Sequence, residues 1–86
     1  MNNIRRKLIK EAIEILNQAQ DLFDQTQEIL SMVTEEVKEE FEKLPYREKM
    51  SDSGNELIYG IEHMEDANGM IEEIYIKGII SEIRRL

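Results

Sequence analysis

Between Ile4 and Leu44 an apolar or small residue recurs every three or four positions without a lapse of phase: Ile4, Leu8, Ala12, Ile15, Ala19, Leu22, Thr26, Ile29, Val33, Val37, Phe41 and Leu44. This is the α-helical period, and so long a run leaves room for no other element in the first half of the chain. At the helical rise, a helix over about residues 3–44 is about 60 Å long. Thr34 followed by Glu35 and Glu36 has the form of a helix start. The unbroken phase across it favours one helix over two. Pro45, the only proline, closes the element, because its ring disfavours helical backbone at Leu44 and it has no N–H for the ladder.

Residues 45–52 read as a turn. Ser53 with Glu56 three positions later, just before Leu57, has the form of a capping box that opens a second helix over about residues 53–85. That helix continues through Leu57, Ile61, Met64, Ala67, Ile71, Ile74 and Gly78 at steps of three or four. Gly60, Gly69 and Gly78 each cost a helix interior about 1 kcal/mol against Ala; either a neighbouring helix approaches closely there, or they are simply tolerated. The expected fold is all-α, a single domain over residues 1–86 built as a long antiparallel helical hairpin.

Folding back places residues 11–23 beside the C-terminal third, IYIKGIISEIRRL, and both stretches are apolar on more than one face. A second stripe runs through Ile9, Ile13, Leu16, Phe23 and Leu30, and another through Ile76, Ile79 or Ile80, Ile83 and Leu86. A two-helix hairpin buries one stripe per helix, so the second stripe calls for a partner. Other staples are lacking, because the 86 residues include no Cys and one His, which excludes disulfides and the usual zinc sites. Self-association into a helical bundle, as a dimer or a higher oligomer, is the expected route to stability. The open end of the hairpin is the expected assembly surface.

Nineteen acidic residues against eleven basic ones give a formal charge of −8, which argues against nucleic acid as a partner. No signal-peptide run and no stretch of membrane-spanning length is present, so no membrane partner is expected and the cytoplasm is the expected location. The charge is unevenly placed. Arg5, Arg6, Lys7 and Lys10 lie at one terminus and Arg84 and Arg85 at the other, whereas residues 11–42 hold ten carboxylates and Lys38 alone.

Chemistry-bearing constellations are few. Without Cys, and with His63 set among Glu62, Glu65 and Asp66, no nucleophilic triad can be assembled. Neither a phosphate-cradling glycine loop nor a dinucleotide fingerprint occurs, so no cofactor is expected and the chain reads as non-enzymatic. Glu36 and Glu39 on the first helix face Glu62, Glu65 and Asp66 on the second, and such clusters can hold Mg²⁺. In E36-V-K-E39 and E62-H-M-E65 the pattern resembles the E-x-x-E…E-x-x-D signature of MazG-type pyrophosphohydrolases, with Glu in place of the final Asp. A solvated acidic face accounts for the same residues, and no metal site is assigned.

Two groups are candidate ligand-binding residues. Arg5, Arg6 and Lys7 stand in the first turns of a helix, where cations oppose the dipole; their use is therefore external, to neighbouring protomers, a phosphate-bearing ligand or an acidic partner. Tyr46, Arg47, Lys49, Ser51 and Ser53 in the turn combine a stacking ring, two cations and hydroxyls ahead of a helix N-terminus, the ingredients of a nucleotide or phosphate site. An ordinary capped polar turn has the same composition.

Over residues 39–74 the chain resembles small acidic helical-hairpin proteins of bacteriophages and prophages, in E39-E40-F41-E42-K43-L44-P45, S53-G54-N55-E56-L57 and the apolar series Ile61, Met64, Ala67, Ile71 and Ile74. In general build it resembles the oligomeric helical phage proteins that sequester cyclic-nucleotide signals of bacterial immunity. The resemblance implies a non-enzymatic anti-defence protein that captures a cyclic nucleotide or ADP-ribose-type signal, or that occludes a host defence protein, including by mimicry of DNA. A structural or regulatory coiled-coil adaptor is the alternative from another class, and a Mg²⁺-dependent nucleotide pyrophosphohydrolase the third.

Overall fold

The computed structural model describes residues 1–86 as four helices and no strand: α1 (Asn3–Glu42), α2 (Tyr46–Lys49), α3 (Asp52–Glu72) and α4 (Ile76–Arg84). α3 and then α4 fold back along α1, giving a hairpin of 68 × 15 × 14 Å. No helix is long and apolar enough to cross a membrane.

α1 starts where the side chain of Asn2 accepts the Arg5 N–H at 2.8 Å, which satisfies one of the donors that a helix start leaves open. It is continuous through Thr34. That residue starts nothing: its side chain is buried and its hydroxyl donates to the Leu30 carbonyl at 2.6 Å, one turn back. The helix stops at Glu42, two residues before the expected end, where Leu44 already feels the ring of Pro45.

The turn is more structured than its composition suggests. The Pro45 carbonyl accepts from the N–H groups of Glu48 and Lys49, which winds α2. The cap of α3 is Ser51, whose hydroxyl accepts the Gly54 N–H at 3.5 Å; Ser53, expected in that role, lies inside the first turn. Gly54 is buried, and a Cβ there would meet the carbonyl oxygens of Lys49 and Glu48, the latter at 2.6 Å. Close approach is thus the business of Gly54. Gly60 and Gly69 face open space, and Gly78 makes room for the ring of Tyr75.

The second arm is bent. At Tyr75 the backbone takes φ −93° and ψ 77°, and the Ile76 N–H donates to the Ile74 carbonyl at 3.2 Å, an inverse γ-turn between α3 and α4. The expected helix over 53–85 is therefore two helices. Glu72 and Glu73 at the end of α3 oppose the dipole there, and the β-branched and aromatic run Ile74-Tyr75-Ile76 favours extended backbone. The bend shifts the phase by about a residue, so that Ile76 and Ile80, 3% and 6% exposed, turn inward and form the only buried apolar side chains.

The two stripes of α1 have roles opposite to the expected ones. The face packed on α3 and α4 carries Ile9, Ile13, Leu16, Phe23 and Leu30, continued by Val37 and Phe41 and, past the end of the helix, by Leu44, all half-buried. The longer stripe follows the outer face as far as Ile29: Ile4, Leu8, Ile15, Leu22 and Ile29 are each more than half exposed. Its steps of four between Ile29 and Phe41 carry it round to the inner face, since each advances about 40° past a full turn.

Midway along the hairpin the inner seam turns polar. The Gln27 side-chain amide donates to the Asn68 carbonyl at 3.4 Å, and the Asn68 amide donates to the Ser31 hydroxyl at 3.3 Å. Asn68 Oδ1 is buried without a partner. Such a layer does more for register than for stability.

Candidate functional site

At the open end, α1 and α4 diverge around a groove of about 580 Å³. Its floor is apolar, from Met1, Ile9 and Ile13 on one side and Ile83 and Leu86 on the other. Arg6 and Lys10, four residues apart and hence on one side of α1, meet Arg84 from the last turn of α4 at its rim. One carboxylate, Glu14, also lines it. None of the three cations forms an ion pair, whereas Lys38, Lys49 and Arg85 all do. An apolar floor beneath unpaired cations suits a ligand with an anionic group on an apolar or aromatic body.

Of the basic cluster, the structure brings Arg6 to this groove. Arg5 and Lys7 are exposed on other faces of α1 and do not line it. Lys10 and Arg84, not among the residues singled out as ligand-binding, take the places beside Arg6. The i,i+4 spacing and the antiparallel pairing of residues 11–23 with the C-terminal third were the signals that point to them.

The turn residues do not gather into a cavity. Tyr46 is 78% exposed, and Arg47 and Ser53 lie at the surface. Lys49 is engaged inside the turn, 3.5 Å from the Glu42 carboxylate and 5.4 Å from the centroid of the Phe41 ring. Ser51 is occupied with capping α3, and its hydroxyl donates to the Glu48 carbonyl.

Among the facing carboxylates, Lys38 intervenes. Its ammonium lies 2.9 Å from Glu65 and 3.7 Å from Glu35, and its pKa is raised, first by the hydrogen bond to Glu65 and then by that carboxylate's charge. No three carboxylate or imidazole groups converge in an arrangement that could hold a metal ion. His63 packs edge-on against Tyr59, with ring centroids 4.2 Å apart.

Comparison with protein-family models, with curated proteins and with solved structures gives no match to this chain.

Proposed function

We propose that this chain is a non-enzymatic binding protein of the phage anti-defence kind, which sequesters an anionic nucleotide signal in the groove at its open end. The observation that carries the reading is the meeting of Arg6, Lys10 and Arg84, all unpaired, over the floor of Ile9, Ile13 and Ile83 in a chain of net charge −8. Phosphates would pair with the rim, and a base would cover the apolar floor. The likeness to phage hairpins supplies the setting, the host cytoplasm, and the class of ligand, a cyclic nucleotide or an ADP-ribose derivative. Occlusion of a host protein, or an adaptor role, is the second reading, favoured by the exposed apolar face of α1.

The test is a thermal-shift screen of cyclic di- and trinucleotides and ADP-ribose derivatives. A ligand at 100 times its dissociation constant adds about 2.7 kcal/mol, which raises the melting temperature of a domain this size by roughly 10–20 °C. Arg6→Ala or Arg84→Ala should weaken that ligand by about 1.5–3 kcal/mol, while Arg47→Ala leaves it unchanged. If no ligand shifts the melting temperature and a specific host protein is captured instead, the occlusion reading replaces this one. Turnover of a nucleoside triphosphate with Mg²⁺, abolished by Glu36→Gln and Glu62→Gln, would overturn both.

A further inference from the structure

We propose that the outer face of α1 is the seam of an antiparallel dimer, and that its occupant is α1 of a second copy of this chain. The hairpin on its own leaves too much surface in water. Its accessible area is 7114 Å², against about 5,300 Å² for a compact chain of this mass. Its radius of gyration is 20.1 Å, against about 12 Å. The excess of about 1,800 Å² is more than the roughly 800 Å² that each partner contributes to a stable interface.

The outer face has the spacing of a coiled-coil seam: Leu8, Ile15, Leu22 and Ile29 seven residues apart, each more than half exposed, alternating with the smaller Ala12 and Thr26, also exposed, and with Ala19 and Val33, which are half-buried at its edge. One antiparallel register sets every large residue against a smaller one. Leu8 then faces Val33 and Ile15 faces Thr26, while Leu22 faces Ala19 and Ile29 faces Ala12. Such an alternation lets two backbones approach closely and leaves no gap between knobs.

Charge selects the direction. Residues 4–10 carry Arg5, Arg6, Lys7 and Lys10 and no carboxylate, and residues 28–36 carry Glu28, Glu35 and Glu36 and no cation. The same register lays the first segment along the second, with Arg5 opposite Glu36 of the other copy. A parallel pair would set each cluster against its own kind. The acidic middle faces itself in either direction and so decides nothing. The two-fold axis makes each contact twice. Arg6 and Lys10 lie on the far side of α1 from the seam, so the groove stays open in the dimer.

Sedimentation and spin-label distances test this. The protein should sediment at twice 10.2 kDa at micromolar concentration, and Ile15→Gln with Leu22→Gln should return it to a monomer. Labels on Asn3→Cys, the only cysteine in that variant, should lie about 50 Å apart across the dimer, and labels on Gln18→Cys within about 20 Å. Arg5→Glu should weaken the dimer roughly threefold to tenfold, and Glu36→Arg in the same chain should restore it. A monomer at those concentrations, an oligomer indifferent to the Gln pair, or Asn3 labels as close as Gln18 labels would each overturn the proposal. The distances are read on chains that keep the whole seam, so they decide the matter even if the Gln pair fails to fold.

Discussion

α1 carries two apolar stripes about 100° apart, and the hairpin covers one of them. The covered one, from Ile9 to Phe41, is the less regular: Gln20, Gln27 and Thr34 stand in it at turns where an apolar residue would fit the period. The exposed one, from Leu8 to Ile29, is interrupted by nothing larger or more polar than Ala and Thr. Regularity of a stripe is therefore no guide to which side faces a chain's own core. The inner seam meets α3 and α4, which bend at Tyr75 and bring Asn68 to Gln27 and Ser31, so it can use a polar layer to hold its register. Nothing from the same chain lies across the outer stripe, and its even spacing suits a straight partner.

The contrast is most exposed to refutation by equal truncations on the two sides. Ile76→Ala, at a site 3% exposed, should cost about 2–4 kcal/mol of unfolding free energy in urea at any protein concentration. Ile15→Ala, at a site 63% exposed, should cost less than about 0.5 kcal/mol in dilute solution, with a loss that grows as concentration rises and association begins to contribute. Equal costs for the two at high dilution would mean that the faces do not differ as described.

A smaller effect probes the polar layer. Asn68→Leu removes the buried Oδ1 that has no partner, at the loss of one 3.3 Å hydrogen bond to Ser31. It should raise stability by about 1 kcal/mol and lower the hydrogen-exchange protection of α3, as expected when a layer specifies register more than it stabilises. A destabilisation of similar size would give the layer a stabilising role instead.

The smallest expected change is electrostatic. Because Glu65, and secondarily Glu35, raise the Lys38 ammonium above its ordinary value of 10.5, the folded state holds that proton more tightly than the unfolded one. The contribution is complete below pH 10.5 and is lost as pH rises through the raised value. Lys38→Met should lower stability slightly and evenly at every pH well below 10.5, with the difference from the parent vanishing as pH rises through the raised value; an effect confined to acid pH would contradict the assignment.

What the sequence determined by itself were the properties that belong to one segment at a time. The helical period gave α1 its length and carried it through Thr34, whose hydroxyl is satisfied within its own helix. Pro45 fixed the stop, because its ring acts on the residue before it, and the short polar turn dictated the antiparallel return. The tertiary structure decided whatever depended on a facing segment. Which stripe of α1 lies inside was set by its pairing with α3 and α4, which leaves Leu22 and Ile29 in water, while beyond the bend at Tyr75 it is Ile76 and Ile80 that are buried. Likewise Gly54 is required only because the carbonyls of Glu48 and Lys49 come against it. Arg6, Lys10 and Arg84 form a rim only because α1 and α4 meet at the open end. Periodicity is a property of one helix, whereas burial and convergence belong to pairs of them, and the pairing is written in shapes and contacts that a single strand of text does not contain.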